Sequence, residues 1–84
     1  PHSIRLLNML QVTKRERDLN DDERQSLLAI AHSTDPRAEI RSKIGAHLLL
    51  GQQDSVSYLL KQLPSKEQEI FKTWPIYKFW VDSK

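Results

Sequence analysis

The spacing of apolar residues constrains this chain most, because they recur every three or four positions along most of it. That period matches the 3.6-residue turn of an α-helix and places one stripe of side chains against a core. The clearest stripe is formed by Val56, Leu59, Leu60 and Leu63. No segment reads clearly as part of a sheet, so the sequence predicts an all-α fold.

The first two predicted helices have different boundary signals. The first extends from Ser3 to about Arg17 and carries an apolar stripe through its first three turns. The second follows Asn20, which is a good N-cap, and Glu23 three residues later completes a capping box. The proline rule predicts that the second helix ends near Thr34 or Asp35.

The third helix is predicted to start at Asp35-Pro36, with Asp35 as N-cap and Pro36 at the first helical position. Gly51 is predicted to end it as a left-handed C-cap. All connections are expected to be two to four residues long. Such short connections make consecutive helices antiparallel, so we expect about five helices packed as helical hairpins, in a solenoid-like stack or an orthogonal bundle.

Two further helices and a short last segment complete the pattern. The fourth helix opens at Gln53 or Asp54, and Pro64 stops it. The fifth starts at Ser65, and residues 65–68 resemble a capping box. Residues 76–81 suit either a helical turn or a strand. We favour the helical turn because a lone strand has no neighbour to pair with.

Composition limits the chain to a few functional classes. Its 84 residues allow a single domain, expected to be the C-terminal part of a longer protein because Pro1 replaces an initiator Met. The absence of cysteine excludes disulfides and thiolate metal sites and fits a cytoplasmic location. No glycine-rich phosphate loop is present, and no apolar stretch is long enough for a bilayer. We therefore predict no cofactor and no membrane association.

The central part of the chain resembles a HEAT-like α-solenoid repeat. The matching elements, in order, are Asp35-Pro36, Ile40-Arg41, Gly45-Ala46, Leu50-Gly51 and the leucine-rich helix that contains Val56. The same hairpin is similar to a tetratricopeptide unit, although that family's Trp and Tyr positions are not matched. The resemblance implies a packing or partner-binding module without catalytic residues.

The second half of the chain is also similar to helical C-terminal tails of uncharacterised bacterial multidomain proteins. The elements in common are Leu50-Gly51, the cap at residues 65–68, Phe71 and Pro75-Ile76-Tyr77. This resemblance likewise implies contact with a protein partner or with the rest of a parent chain. It implies no enzymatic activity.

The three histidines are the strongest candidates for chemistry. His32 and His47 lie near the ends of consecutive predicted helices, whereas His2 lies at the start of the chain. They form no HExxH motif and have no cysteine nearby, so we interpret them as structural polar groups rather than metal ligands or catalysts. We predict that the chain is not an enzyme. It could still serve as a lid or regulatory domain beside an active site elsewhere.

Two clusters of basic residues support an alternative function. A nucleic-acid-binding helical domain would use Arg37, Arg41 and Lys43 on the third helix and Lys14, Arg15 and Arg17 at the end of the first. Residues 1–42, however, hold seven basic and seven acidic side chains. Phosphate binding needs a face of one sign, so we rank this alternative second.

Five of the six aromatic residues lie close together near the end of the chain: Phe71, Trp74, Tyr77, Phe79 and Trp80. They could form a lid packed on the core, or an exposed set of binding anchors. We expect Phe71 and Trp74 to face inward and Tyr77 or Trp80 to face partly outward. The predicted contact surface consists of Tyr77, Phe79, Trp80, Arg37 and Arg41.

The predicted core contains the apolar residues that recur at helical spacing. It consists of Leu7, Leu10, Leu27, Leu28, Ile30, Ile40, Ile44, Leu48, Val56, Leu59, Leu60, Leu63, Ile70, Phe71 and Trp74. The function we expect is a non-catalytic protein–protein or interdomain contact. The helix exteriors would provide the contact surface.

Overall fold

The computed structural model describes residues 2–35 and 39–81. In these two ranges it contains six α-helices and no strand, which confirms the predicted all-α fold. The helices are α1 (His2–Glu16), α2 (Asp21–Ala31), α3 (Ile40–Leu50), α4 (Gln53–Leu60), α5 (Ser65–Phe71) and α6 (Pro75–Trp80). None of the described helices is both long and apolar enough to cross a bilayer.

The start of α2 confirms the predicted capping box. The side chain of Asn20 accepts from the Glu23 backbone N–H at 2.8 Å, and the Asn20 N–H donates to the Glu23 carboxylate at 2.9 Å. Arg17 binds the same carboxylate through two nitrogens, at 2.8 and 2.9 Å. The hydrogen bond from Arg17 is the main reason that the pKa of Glu23 lies below its usual value.

The connection between α2 and α3 differs from the prediction. α2 ends at Ala31, before the predicted Thr34 or Asp35, and α3 begins only at Ile40. The N-cap of α3 is Glu39, whose extended backbone (φ −73°, ψ 136°) interrupts any helix continued from Asp35-Pro36. More than the expected two to four positions therefore separate the end of α2 from the start of α3, and residues 36–38, which include Pro36, lie outside the described residues.

α3 is the central helix of the fold. It packs against α1, α2, α4 and α6, and most of its residues from Ser42 to Leu49 are buried. Gly51 ends it with φ 74°, as predicted, and the Gln52 N–H donates to the His47 carbonyl at 3.0 Å. α4 then follows almost directly, so α3 and α4 form the expected helical hairpin.

α4 and α5 are shorter than the sequence pattern suggests. α4 ends at Leu60, although Leu63 remains buried in the turn beyond it. Ser65 is the first helical residue of α5 rather than its N-cap, so the predicted capping box at residues 65–68 is wrong. Instead, the Gln68 side chain donates to the Leu63 carbonyl at 2.8 Å.

Most of the predicted core is confirmed. The residues that are buried are Leu7, Leu10, Leu27, Ile44, Leu48, Val56, Leu60, Leu63 and Phe71, with Ile30, Ile40 and Leu59 partly buried against them. The prediction is wrong for Ile70 and Trp74, which are exposed. Trp80 is buried in their place, because α6 turns back from Pro75 and packs on α3.

Candidate binding surface

A groove between α1 and the start of α6 forms a concave, largely apolar surface. Its α1 wall contains Ile4, Asn8, Gln11 and Val12, and its opposite wall contains Trp74, Pro75 and Ile76. We call it the α1–α6 groove. Its open volume is about 470 Å³. A neighbouring depression shares Ile4, Asn8, Trp74 and Ile76 and deepens towards Leu7, Gly45 and Phe71.

Helical spacing explains the α1 wall. Residues 4, 8, 11 and 12 lie on one face of α1, beside the face that buries Leu7 and Leu10. Arg15 follows Val12 by three positions and lies at the end of the same face. With a rise of 1.5 Å per residue, the wall from Ile4 to Arg15 is about 16 Å long. That length matches about three turns of a bound helix.

The opposite wall depends on how α6 is oriented. Pro75 occupies the first turn of α6, where its missing N–H is no loss. Trp80 is then only 8% exposed, whereas its neighbour Phe79 is 56% exposed. Trp74 precedes the helix, packs on the Phe71 ring at 5.0 Å and remains 37% exposed. The wall therefore presents aromatic surface to solvent.

Two cation–π contacts attach α6 to the end of α1. The Lys14 ammonium lies 4.7 Å from the centre of the Trp80 ring and also donates to the Leu49 carbonyl. Burial lowers the pKa of Lys14 from its usual value, with a smaller contribution from Arg24. The Arg15 guanidinium lies 4.2 Å from the centre of the exposed Phe79 ring. Consecutive residues of α1 thus contact consecutive residues of α6.

The predicted contact residues are only partly brought together. Phe79 is exposed as a contact residue must be, whereas Tyr77 is half-buried with its ring edge-on to Phe71. Trp80 is buried, which corrects the expectation that it faces partly outward. Arg41 forms an ion pair with Glu67 beside the groove, and Arg37 lies outside the described residues.

Sequence reasoning missed the α1 wall of the groove. Val12 has the helical spacing of an apolar stripe residue, but it is 56% exposed. The available signal was the polar residue Asn8, one turn before Val12 on the same face, whereas Gln11 on that face is buried. Nothing in the local sequence indicates that α6 would lie opposite that face.

The basic residues of the nucleic-acid alternative do not form one free surface. Arg17 is paired with Glu23 and Arg41 with Glu67, while Lys14 is held by Trp80 and the Leu49 carbonyl. Lys43 lies in a different depression with His32 and His47. Among the described basic residues proposed for nucleic-acid binding, Arg15 lies next to the groove and contacts Phe79.

The two described imidazoles lie against each other, with ring centres 5.6 Å apart in an edge-on arrangement. His47 is buried, and its Nδ1 lies 2.6 Å from the side-chain oxygen of Gln52. Among residues 2–35 and 39–81, no group of three potential ligands could hold a metal ion. The imidazole pair is therefore a packing contact between the ends of α2 and α3, while the His47–Gln52 contact adjoins the start of α4.

The groove can offer apolar contact, aromatic surface and a guanidinium. Its walls contain no nucleophile and no pair of titratable groups suited to acid–base chemistry. Both properties are typical of a binding surface. Comparison with protein-family models, with curated proteins and with solved structures finds nothing that matches this chain.

Proposed function

We propose that this chain is a non-catalytic protein–protein or interdomain interaction module that binds its partner in the α1–α6 groove. The observation that carries the proposal is the shared position of Val12 and Trp74, two exposed apolar side chains, on opposite walls of one concave surface. Phe79, on α6, is a further exposed aromatic side chain and contacts Arg15 of α1. Single exposed apolar residues are common, but a contiguous concave group is typical of an interaction site.

The groove is also rigidly built, which favours binding. Its walls are helices, and the Lys14–Trp80 and Arg15–Phe79 contacts fix the end of α6 on α1. A preformed site loses little conformational entropy when the partner arrives. Aromatic side chains such as Trp74 and Phe79 are frequent anchors in interfaces because each buries a large area with few rotatable bonds.

The helical hairpin of α3 and α4 supports the same proposal. Its turn at Gly51 is the element that resembles HEAT-like and tetratricopeptide units, whose usual role is protein contact. In this proposal the partner is another protein or another segment of a parent chain. The absence of cysteine supports a cytoplasmic setting.

Nucleic-acid binding is the weaker proposal. Three of the cations that it needs are already engaged by Glu23, Glu67 and Trp80. A surface for phosphates requires free cations on one face.

Selection of peptides from a random display library would test the proposed function. We expect selected peptides to lose binding to Val12→Asp and to shift the indole N–H resonance of Trp74 but not that of buried Trp80. The matched control is Tyr58→Asp, which places the same charge at an exposed position on α4. Peptides that bind Val12→Asp and Tyr58→Asp equally, without perturbing Trp74, would refute the groove as the binding site.

A further inference from the structure

We infer that the α1–α6 groove receives an acidic amphipathic helix of a partner protein. Apolar side chains of that helix fill the groove, and its carboxylates pair with cations on the rim. This inference rests on the proposed function, since it names the partner chemistry of the same site. It follows from the charge around the groove, the state of its cations and the shape of its walls.

The two segments that build the groove carry more basic than acidic side chains. Residues 2–16 contain three basic side chains and one acidic side chain, and residues 74–81 contain one basic and none acidic. Residues 17–35, which include α2, contain two basic and five acidic side chains. A binding surface steers partners of opposite charge, so the groove favours an acidic partner.

Arg15 is prepared to receive a carboxylate. Its guanidinium stacks on Phe79 at 4.2 Å, and no described carboxylate pairs with it. Stacking holds the planar group still while its N–H edges stay free for two parallel hydrogen bonds to one carboxylate. Arg5, which is exposed and likewise unpaired, lies two turns before Val12 on the same side of α1. The apolar wall therefore has a free cation towards each end.

The shape of the groove selects a helix rather than a strand. The N–H and C=O groups along α1 and α6 are used within their own helices, so no sheet edge is available for strand addition. The α1 wall from Ile4 to Val12 is about 12 Å long, and helical anchors at positions i, i+4 and i+7 span about 10 Å of it. Apolar anchors at that spacing would contact Val12 on one wall and Trp74 on the other.

Other occupants fit less well. The acidic helix of a second copy, α2, exposes Asp21, Asp22, Arg24 and Gln25 and would bring charge without bulky anchors. Single-stranded nucleic acid needs open aromatic faces for stacking. Arg15 occupies one face of the Phe79 ring, although that side chain stays 56% exposed, and Trp74 packs on Phe71. An acidic amphipathic helix satisfies both the apolar wall and the free cations.

Fluorescence anisotropy with three synthetic peptides of roughly 15 residues tests the inference with the whole chain. All three are fluorescein-labelled and carry the same apolar residues. One has glutamates at the polar helix positions, one has lysines, and one is a scrambled version of the glutamate peptide. We expect the glutamate peptide to bind about tenfold more tightly than the lysine peptide, and its affinity to fall several-fold between about 50 and 300 mM salt. Scrambling should abolish groove binding.

Charge reversal locates the contact. Arg15→Glu should weaken the glutamate peptide by at least about threefold and strengthen the lysine peptide. Lys61→Glu is the matched control, since it makes the same change in net charge at an exposed position after α4. Equal effects of the two variants would mean that only overall charge matters and would overturn the assignment to Arg15. Circular dichroism confirms that each variant remains folded.

The outcomes separate this inference from the proposed function. If the lysine peptide binds as well as the glutamate peptide and shifts the Trp74 resonance, the acidic partner is refuted while the groove remains a binding site. If no helical peptide responds to Val12→Asp, the proposed function itself fails. A poly-thymidine oligonucleotide that binds the groove more tightly than the glutamate peptide would replace the protein partner with nucleic acid.

Discussion

Two substitutions of Trp80 separate the stabilisation by its buried ring from the destabilisation by its unpaired indole N–H. The side chain is 8% exposed, and its Nε1 has no hydrogen-bond partner among the described residues. Trp80→Ala removes the ring from the core and from the Lys14 ammonium, which should cost about 3–5 kcal/mol of unfolding free energy. Small domains have stabilities near the lower end of about 5–15 kcal/mol, so this variant should retain no more than about 2 kcal/mol.

Trp80→Phe should behave very differently. It keeps an aromatic ring beside Lys14 but removes the unpaired donor, whose burial costs about 1–3 kcal/mol. The smaller ring buries less apolar surface and makes a weaker cation–π contact. Together these two losses of free energy are of similar size to the gain. We therefore expect the unfolding free energy of Trp80→Phe to lie within about 1 kcal/mol of the parent chain, since these contributions cancel.

Urea denaturation followed by far-UV circular dichroism measures both variants. The m-value should stay constant if each unfolds from the same compact state. A loss of more than about 2 kcal/mol in Trp80→Phe would refute the reasoning, because it would mean that the indole N–H makes a favourable bond. Trp74→Phe is the control, because it replaces the other tryptophan. Since Trp74 is 37% exposed, this variant should lose less unfolding free energy than Trp80→Ala.

Substitutions at three further positions test the fold and its electrostatics. At Gly45, an added Cβ would lie 3.3 Å from both Leu7 and Ile76, so Gly45→Val should cost about 1–3 kcal/mol in urea denaturation, with Gly45→Ala much closer to neutral. Asn20→Ala removes the cap of α2 and should lower the unfolding free energy by about 1 kcal/mol, measured in the same way. The folded-state pKa of Glu23 is lowered, so its contribution is present above the ordinary carboxylate pKa and is lost as the pH falls through the folded value. Glu23→Gln should therefore show a smaller drop in urea midpoint between neutral and acidic pH than the parent chain, and an equal drop would contradict the role of the Arg17 pair.

Features with a local cause could be predicted from the sequence. The capping box of Asn20 needs only residues three apart, and the left-handed turn at Gly51 needs only a residue without Cβ. Pro75 likewise starts α6, as its fixed φ and missing N–H suit a first helical turn. Each of these signals acts within a few residues, so no tertiary contact had to be known.

Features set by long-range packing could not be predicted. Helical spacing in α6 does not define a buried face, since the apolar residues Ile76, Tyr77, Phe79, Trp80 and Val81 together span about 200° of the helix circumference. Contact with α1 and α3 decides the orientation and buries Trp80 instead of Trp74. The start of α3 at Ile40 could not be predicted either, because a proline such as Pro36 permits a helix to start but does not require it.

The orientation of α6 connects the stability of the fold with the formation of its groove. Lys14 and Arg15 are consecutive on α1, and they contact Trp80 and Phe79, which are consecutive on α6. Neighbouring residues on a helix point about 100° apart, so burying Trp80 beside Lys14 turns Phe79 and Arg15 outward. The Lys14–Trp80 contact stabilises the fold, and the Arg15–Phe79 contact remains on the surface near the end of the groove. Substitutions of Lys14 or Trp80 should thus change stability first, while substitutions of Arg15 or Phe79 should change binding first.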